Sequence, residues 1–319
     1  MKRLMNIAAG ALFAAALALP GGALAQEGKA TIGVSIPSAT HGWTGGVNFH
    51  AQQAIDELKA AYPDLTFVLA TAGDPGKQVS DIEDMMATRN IDALVVLPFE
   101  SDPLTGPVKR VADAGKFVTV VDRGLSQPGI QDLYVAGDNT AFGRVAGDYF
   151  KEKMPDGGKI VVLRGIPTTI DNERVEAFQK AIEGSNIEIE GMEHGDWNRD
   201  KAFEVMQDFL SKYAEIDAVW ASDDDMALGV IEAIKQAGRE GDMWVLGGAG
   251  MKQMIEKVQA GDKMVPADVT YPPSMIATAI RLTADRFVSK APMAGRFVID
   301  SVLVTPENAK EHYFPDSPF

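Results

Sequence analysis

The sequence predicts an α/β protein of two Rossmann-like lobes, each with a parallel sheet covered by helices. From Ala30 onward, short β-branched runs alternate with amphipathic stretches of helical spacing, a pattern typical of parallel sheets. The run Ala-Leu-Val-Val-Leu at 93–97 is wholly apolar, as expected of a strand buried on both faces. About nine strands would make an unusually wide single sheet. Since the segment 124–139 interrupts the alternation midway, we expect a crossing into a second lobe there.

Each predicted strand is a short apolar or β-branched run, and each predicted helix repeats apolar residues at helical spacing. In chain order, the predicted strands are Thr31–Ile36, Thr66–Ala70, Ala93–Leu97, Phe117–Val121, Lys159–Leu163, Ala218–Trp220, Trp244–Leu246 and Met264–Thr270. The predicted helices are Gly45–Ala60, Lys77–Arg89, Leu104–Ala114, Ala141–Lys153, Asn172–Ile182, Lys201–Ala214, Met226–Ala237 and Met251–Ala260. Helices between successive strands imply parallel pairing.

The first residues have the pattern of a secretory signal peptide. A basic start at Lys2 and Arg3 precedes an apolar run that ends before Pro20-Gly21-Gly22, and Ala23-Leu24-Ala25 places small residues at cleavage positions. The run is shorter than the roughly 20 apolar residues that a membrane span needs. We therefore expect residues 1–25 to be removed and the mature protein to be periplasmic.

Composition excludes several classes of function. The formal net charge of −15 argues against nucleic acid and anionic membranes as partners. The chain has no cysteine, so it can form neither a disulfide nor a thiolate metal site. Its four histidines, His41, His50, His194 and His312, fall in no metal-ligand spacing. We expect no metal and no cofactor.

Aromatic, acidic and guanidinium side chains dominate the positions after the predicted strands. Ligands of open α/β sheets bind beyond the carboxyl ends of the strands, so these side chains are candidates for a binding site. Aromatic rings suit the C–H faces of a sugar, while Asp accepts hydrogen bonds from hydroxyls and Arg donates them. A structural role remains open for each residue alone, since an Asp at such a position is also a common helix cap. The candidates are His41, Trp43, Asp74, Asp122, Arg123, Arg174, Trp197, Asp223 and Tyr271.

Patterns of catalytic chemistry are lacking. The chain contains no Gly-x-Ser-x-Gly elbow. The stretch Asp74-Pro75-Gly76-Lys77 is not a phosphate loop, because Gln78 stands where Ser or Thr is needed. The carboxylates at 223–225 lack the spacing of a calcium loop. We expect a binding protein and not an enzyme.

Four short motifs resemble the periplasmic sugar-binding proteins of the ribose, galactose and allose type, whose type I periplasmic binding protein fold is shared with the LacI-type repressors. The resemblance extends from Thr31 to about Val304. The motifs are Val120-Val121-Asp122-Arg123, Asn172-Glu173-Arg174 with Glu176-Ala177-Phe178, Trp197-Asn198-Arg199 with Val205-Met206-Gln207-Asp208, and Ala221-Ser222-Asp223-Asp224-Asp225-Met226-Ala227-Leu228-Gly229. Each motif is short, but the four occur in the order and at the spacing found in the family.

The resemblance implies two lobes joined by a hinge of three crossings, near 134–138, 270–272 and 297–300. The N-terminal lobe would comprise residues 30–134 plus 271–298, and the C-terminal lobe residues 135–270 plus 299–319. The implied partners are a small polyhydroxylated ligand, namely a monosaccharide, amino sugar or polyol, and an inner-membrane ABC permease. The protein itself would be a monomer.

The resemblance also assigns roles within the pocket. Asp122, Arg123 and Arg174 match residues that bind sugar hydroxyls, and Asp223 matches a further hydroxyl partner. Trp197 matches an aromatic residue that stacks on the sugar, and His41 and Trp43 lie in a loop that usually supplies aromatic residues. Tyr271 occupies a hinge position that is often Gln, and Asp74 is a weaker match to a polar contact. The chain departs from the family at Gly247-Gly248-Ala249-Gly250, where an aromatic residue and an acid or amide are common. We therefore expect more room near Gly248 and do not transfer ribose specificity.

Three other functions share part of this pattern. A LacI-type regulator would carry a basic helix-turn-helix before Thr31, where this chain has the predicted signal peptide. A secreted carbohydrate-active enzyme would need paired catalytic carboxylates or a nucleophile. A binding protein that presents its sugar to a chemoreceptor or sensor kinase is compatible with every feature of the sequence.

Overall fold

The computed structural model describes residues 29–39 and 41–319, so the predicted signal peptide lies outside the described residues. The strands are β1 (Ala30–Pro37), β2 (Leu65–Ala72), β3 (Ala93–Val96), β4 (Phe117–Val121), β5 (Leu133–Gly137), β6 (Gly158–Arg164), β7 (Ile187–His194), β8 (Ala218–Ala221), β9 (Trp244–Leu246), β10 (Asp268–Val269), β11 (Gly295–Ile299) and β12 (Leu303–Val304). The helices are α1 (Gly42–Ala61), α2 (Pro75–Ala87), α3 (Ser101–Asp113), α4 (Asn139–Lys153), α5 (Thr169–Ile182), α6 (Arg199–Lys212), α7 (Asp224–Gln236), α8 (Lys252–Gln259) and α9 (Met275–Val288). Across the described ranges, no helix is long and apolar enough to cross a membrane.

Six parallel strands form the larger sheet, in the spatial order β11-β5-β4-β3-β1-β2. Side chains of β3 alternate between two cores. Ala93 and Val95 face the core that includes α1, whereas Leu94 and Val96 face the core that includes α2 and α3. All four are fully buried. The continuous apolar run follows from this position, because a central strand with helices on both faces has no exposed side.

Four parallel strands form the smaller sheet, in the order β7-β6-β8-β9. Helices α4 and α5 pack against each other, as do α6 and α7. In the core, the rings of Phe178 and Trp220 stack with centroids 4.1 Å apart, and Phe150 meets Phe178 edge-on at 5.2 Å. Such pairs contribute about 0.5–1.5 kcal/mol each beyond the burial of their area.

The chain connects the two sheets at three places. It leaves the larger sheet after β5, where α4 begins, returns to it from β10 through α9, and leaves again between β11 and β12. Strands β10 and β12 pair antiparallel, an exception to the predicted parallel arrangement. The predicted lobe boundaries at 134/135 and 298/299 fall inside β5 and β11. The division into lobes stays a prediction.

The sequence-based prediction misses β5, β7, α9, β11 and β12. Strand β7 lies at the edge of its sheet and reads Ile-Glu-Ile-Glu-Gly-Met-Glu-His, so it has no apolar run. The sequence places 133–137 in the segment that interrupts the alternation, but these residues form β5, a strand of the larger sheet that follows the turn at Pro128-Gly129. The predicted strand Met264–Thr270 is wrong for most of its length, because Pro266 has no N–H to donate.

Candidate functional site

A narrow cavity lies between the two sheets, beyond the carboxyl ends of their strands. Its lining residues are His41, Trp43, Asp122, Arg123, Ile170, Arg174, Trp197, Asp223, Ala249 and Tyr271. Eight of the nine candidate residues are among them, so the structure brings the predicted set together. The internal volume is about 20 Å³, which is close to the minimum that holds one water molecule.

The centre of the site is a hydrogen-bonded group around Tyr271. Its hydroxyl donates to Asp122 Oδ1 at 2.6 Å and accepts from Asn139 Nδ2 at 3.2 Å. The Tyr134 hydroxyl donates to the backbone oxygen of Asp122, which follows β4 and is only 2% exposed. Burial, and next the neighbouring Asp122 carboxylate, raise the pKa of Tyr271 far above its ordinary value, so its hydroxyl remains a donor. Tyr271 is thus a fixed hydrogen-bond donor to Asp122.

Arg174, on α5, lies between two aromatic rings. Its guanidinium carbon is 4.3 Å from the ring centroids of both Phe142 and Tyr271. Its Nε donates to Asn139 Oδ1 and its Nη1 to the Ser222 carbonyl oxygen, both at 2.8 Å. These bonds use two of the five N–H donors of a guanidinium. The side chain is therefore held rigidly while it faces the cavity.

Three cavity-lining side chains have a buried nitrogen without a hydrogen-bond partner among the described residues: His41 Nδ1, Arg123 Nε and Trp197 Nε1. The Arg123 guanidinium is 5.8 Å from the Trp197 ring and donates to the Phe99 carbonyl oxygen at 2.7 Å. Burial, followed by the positive charge of Arg123, lowers the pKa of His41 to about 4, so His41 is neutral at pH 7. Unpaired buried polar groups are costly, which favours a ligand that hydrogen-bonds to them.

The three consecutive carboxyl groups at 223–225 have different partners. Asp223 Oδ1 caps α7 by accepting from Met226 N at 3.2 Å, and the residue also lines the cavity, so the structural and the binding interpretations both apply. Burial first, and then the neighbouring Asp225 and Asp224, raise the pKa of Asp223. Asp224 accepts from the backbone N–H groups of Gly248 and Met251, both at 2.7 Å.

Trp43 joins the start of α1 to the crossing at 271. Its Nε1 donates to the Tyr271 carbonyl oxygen at 3.0 Å, and the two ring centroids are 6.1 Å apart. The adjacent Gly42 N–H donates to Asp225 Oδ2 at 2.7 Å. The first turn of α1 therefore contacts both the crossing and the first turn of α7.

Two expectations about the site need correction. The structure does not bring Asp74 to the cavity; its carboxylate caps α2 by accepting from Lys77 N at 2.8 Å. The expected room near Gly248 is also absent, because a Cβ there would lie 2.1 Å from the Phe142 ring. Phe142 thus fills the space that the missing side chain leaves, and Ala249 reaches the cavity instead.

Sequence reasoning missed Ile170, Ala249 and Asn139. Ala249 lies in a turn that was singled out but given no contact. Asn139 is buried at the start of α4 and fixes both Arg174 and Tyr271. The signal that could have found it is its place just after the crossing at 134–138. Within residues 29–39 and 41–319, no cluster of three or more His, Cys, Asp or Glu side chains could hold a metal ion.

Residues 32–290 match the family described as periplasmic binding protein domain. The match covers most of the chain, and the protein therefore belongs to the periplasmic binding protein family. A ribose import binding protein of Haemophilus influenzae is 27% identical over 306 residues, which cover 96% of this chain and 100% of that protein.

Solved structures show the same fold. A solute-binding protein of an ABC transporter from Bacillus halodurans, with bound myo-inositol, superposes with a TM-score of 0.80 and 25% identity, over 90% of this chain and 98% of that one. A fructose-binding periplasmic domain of a hybrid two-component system gives a TM-score of 0.78 and 28% identity, over 88% and 92% of the two chains. The predicted α/β fold class, the resemblance to sugar-binding proteins and the assignment to a binding protein and not an enzyme are confirmed.

Proposed function

We propose that this protein captures a neutral monosaccharide or cyclic polyol in the cavity between the sheets and delivers it to an ABC permease of the inner membrane. The observation that supports this most directly is the arrangement of Asp122, Tyr271 and Arg174, in which fixed donors and an acceptor meet beside aromatic rings. Trp43 and Trp197 add apolar walls. Rings and fixed hydrogen-bonding groups together match the two kinds of surface on a sugar.

The charges around the cavity favour a neutral ligand. The lining carries groups of both signs, Arg123 and Arg174 together with Asp122, while burial favours the neutral forms of Asp223 and His41. A neutral ligand can pair with groups of either sign without leaving a charge of its own unpaired in a buried site. Hydroxyl groups can donate to Asp122 and accept from the guanidinium groups without any change in charge.

Enclosure of the ligand requires movement. The narrow cavity of about 20 Å³ is too small for a sugar, and a wider cleft of about 610 Å³ adjoins it, sharing Arg123, Ile170 and Trp197. We propose that residues 30–134 plus 271–298 rotate as one lobe against 135–270 plus 299–319, about the three crossings. The ligand would stabilise the closed form by contacts with both lobes, which only that form provides.

The relatives guide the choice of ligand. The named proteins include binders of ribose, myo-inositol and fructose, so the family accepts pentoses, cyclitols and hexoses. Because Phe142 fills the space at Gly248, we give no preference to a larger amino sugar. Export with removal of residues 1–25, the permease as partner and a monomeric state belong to the same proposal.

The first experiment measures thermal unfolding with a panel of pentoses, hexoses, amino sugars and cyclitols, followed by calorimetry on the stabilising compounds. A ligand that binds only the folded state raises the melting temperature. Arg174→Lys keeps the positive charge but lacks the planar guanidinium group. We expect the variant to lose two hydrogen bonds of about 1.5 kcal/mol each, which raises its Kd for the ligand by about 100-fold.

The control is Arg144→Lys, an exposed arginine on α4 whose side chain is 56% accessible. It should bind as the parent does. Stabilisation by amino acids or peptides alone would refute the proposal. If Arg174→Lys retained parental affinity, Arg174 would be removed from the site.

A sensory role is the second candidate, because one structural neighbour is the periplasmic domain of a two-component system. A deletion strain separates the two functions. Loss of growth on the ligand as sole carbon source, with intact expression of the permease, indicates import. Loss of the transcriptional response alone indicates sensing.

A further inference from the structure

The segment 313–319, here called the strap, runs beside α8, which follows the smaller sheet. The Nζ of Lys252, in the first turn of α8, donates to the carbonyl oxygens of Pro315 and Ser317 at 3.1 and 3.0 Å. Ser317 is only 4% exposed. One end of the strap is therefore fixed to an element that packs against β10.

The other end of the strap crosses to α1. Phe319 is 3% exposed and packs on Gly42 and Gly46, one helical turn apart. A Cβ on Gly46 would lie 2.8 Å from Phe319 Cβ, and one on Gly42 would lie 3.3 Å from its ring. Phe314, in the same segment, is 58% exposed. The ring of Phe319 thus occupies a surface on α1 that only glycines leave open.

The same turn of α1 is bound to the start of α7. Gly42 N–H donates to Asp225 Oδ2 at 2.7 Å, and Asp225 Oδ1 accepts from Arg199 Nη2 at 2.8 Å. A Cβ on Gly42 would lie 2.6 Å from Asp225 Oδ2 and 3.3 Å from the ring of Phe319. Carboxylate and ring therefore meet the same glycine at the junction where Trp43 enters the cavity.

We propose that Phe319 is a positioning residue that holds the first turn of α1, and with it His41 and Trp43, against α7 and the crossing at 271. The strap thereby stabilises the closed arrangement and contributes to ligand affinity without touching the ligand. This inference rests on the hinge closure in the proposed function. It adds a residue that lies outside the cavity.

Opening would separate α1 from α8 and expose the ring of Phe319 to water. Burial of a phenylalanine side chain favours the closed form by the hydrophobic effect. Phe319→Ala is expected to raise the Kd about tenfold, the factor for a loss of about 1.4 kcal/mol. The change should appear mainly as faster ligand release, because the closed complex loses the contact.

The experiment measures the distance between the two sides directly. The chain has no cysteine, so Ala60→Cys on α1 and Glu204→Cys on α6, both exposed, can carry a pair of spin labels. Distances are recorded without ligand and with the sugar that stabilises the parent, in the parent, Phe319→Ala, Phe319→Leu and Phe314→Ala. Calorimetry gives the Kd of each, and circular dichroism checks that each is folded.

We expect Phe319→Ala to shift the ligand-free protein toward longer distances, Phe319→Leu to restore most of the short distances, and Phe314→Ala to match the parent. If Phe319→Ala keeps the distance distribution and the Kd of the parent, the proposed role of Phe319 is wrong, even if the variant melts at a lower temperature. Should the parent bind no sugar or polyol, the proposed function fails, yet the ligand-free distances still decide whether the strap holds the two sides together.

Discussion

At Asp122 the backbone has φ = 59°, a left-handed conformation that costs a non-glycine residue about 1–2 kcal/mol. Trp197 and Ala249, which also line the cavity, have φ values of 54° and 132°. Strain of this kind persists where surrounding contacts enforce it, and it is concentrated at functional sites. The strained backbone of three lining residues therefore supports a binding role independently of their side chains.

Tyr271→Phe tests the central hydrogen bond of the site. The change leaves Asp122 Oδ1 without its donor in a buried position, and we expect the free energy of unfolding to fall by about 1.5–3 kcal/mol. Chemical denaturation of the ligand-free protein measures it. Tyr62→Phe, at a residue that is 42% exposed, is the control and should unfold as the parent does. Equal stability of Tyr271→Phe and the parent would contradict the prediction.

The residues after the strands could be predicted from sequence, because the end of a parallel strand fixes where the next few side chains lie. His41, Asp122 and Asp223 were found in this way. Asn139 was not, because it follows β5, a strand that was itself missed, and Ile170 was not, because its position depends on how α4 and α5 pack together. That packing leaves no local pattern in the sequence.

Among the elements, β10 contains a buried carboxyl group, Asp268, that forms no ion pair with the residues the structure describes. Asp268 is fully buried and interacts with Asp224 at the start of α7 and with Asp223, the cap residue before it. Burial raises the pKa of Asp268 to about 7. Burial and the adjacent Asp268 raise the pKa of Asp224 as well. At least one proton is therefore held between β10 and α7 at acidic pH.

Asp268→Asn tests that proton. A folded-state pKa above the ordinary value of 3.8 means that the folded protein binds more protons than the unfolded chain, so stability is full below pH 4 and falls as the pH rises through about 7. For one proton the slope reaches about 1.4 kcal/mol per pH unit. The asparagine variant should lose less stability than the parent between pH 5 and pH 8, as measured by urea unfolding. Asp208→Asn, exposed on α6, is the control and should follow the parent; an identical slope in Asp268→Asn would refute the assignment.

The predicted strands have an apolar run, whether they lie inside a sheet, as β3 does, or at an edge, as β2 and β9 do. Strand β3 has an apolar run because both of its faces are covered, whereas β7 and β11 lie at the edges of their sheets. Residues of β11 such as Phe297 remain 47% exposed. An edge strand needs only part of the apolar pattern, and the pairing that defines it comes from a distant partner, β5 in the case of β11.

At the scale of the whole molecule, three crossings join two sheets that share one cavity. The sequence predicted two lobes from the count of strands and from the break at 124–139. The crossings near 270 and 300 came from the family resemblance alone. Strands β10 and β12 have two residues each, too few for any periodic signal.

Small-angle scattering tests the motion of the whole molecule. A compact chain of residues 26–319 has an expected radius of gyration of about 19 Å. We expect the ligand-free protein, in which open and closed forms are both populated, to exceed this value and the saturated protein to approach it, because the ligand shifts the population toward the closed form. Identical curves with and without a ligand of proven affinity would refute hinge closure.

Tyr271 lies in the crossing between β10 and α9 and also at the centre of the cavity. One side chain thus takes part both in choosing the ligand and in the movement that encloses it. An evolutionary change at this position alters selectivity and release together, since neither can be tuned alone. Divergence of this protein toward a new nutrient would therefore begin more easily at Ile170, which lines the cavity from α5 and not from a crossing.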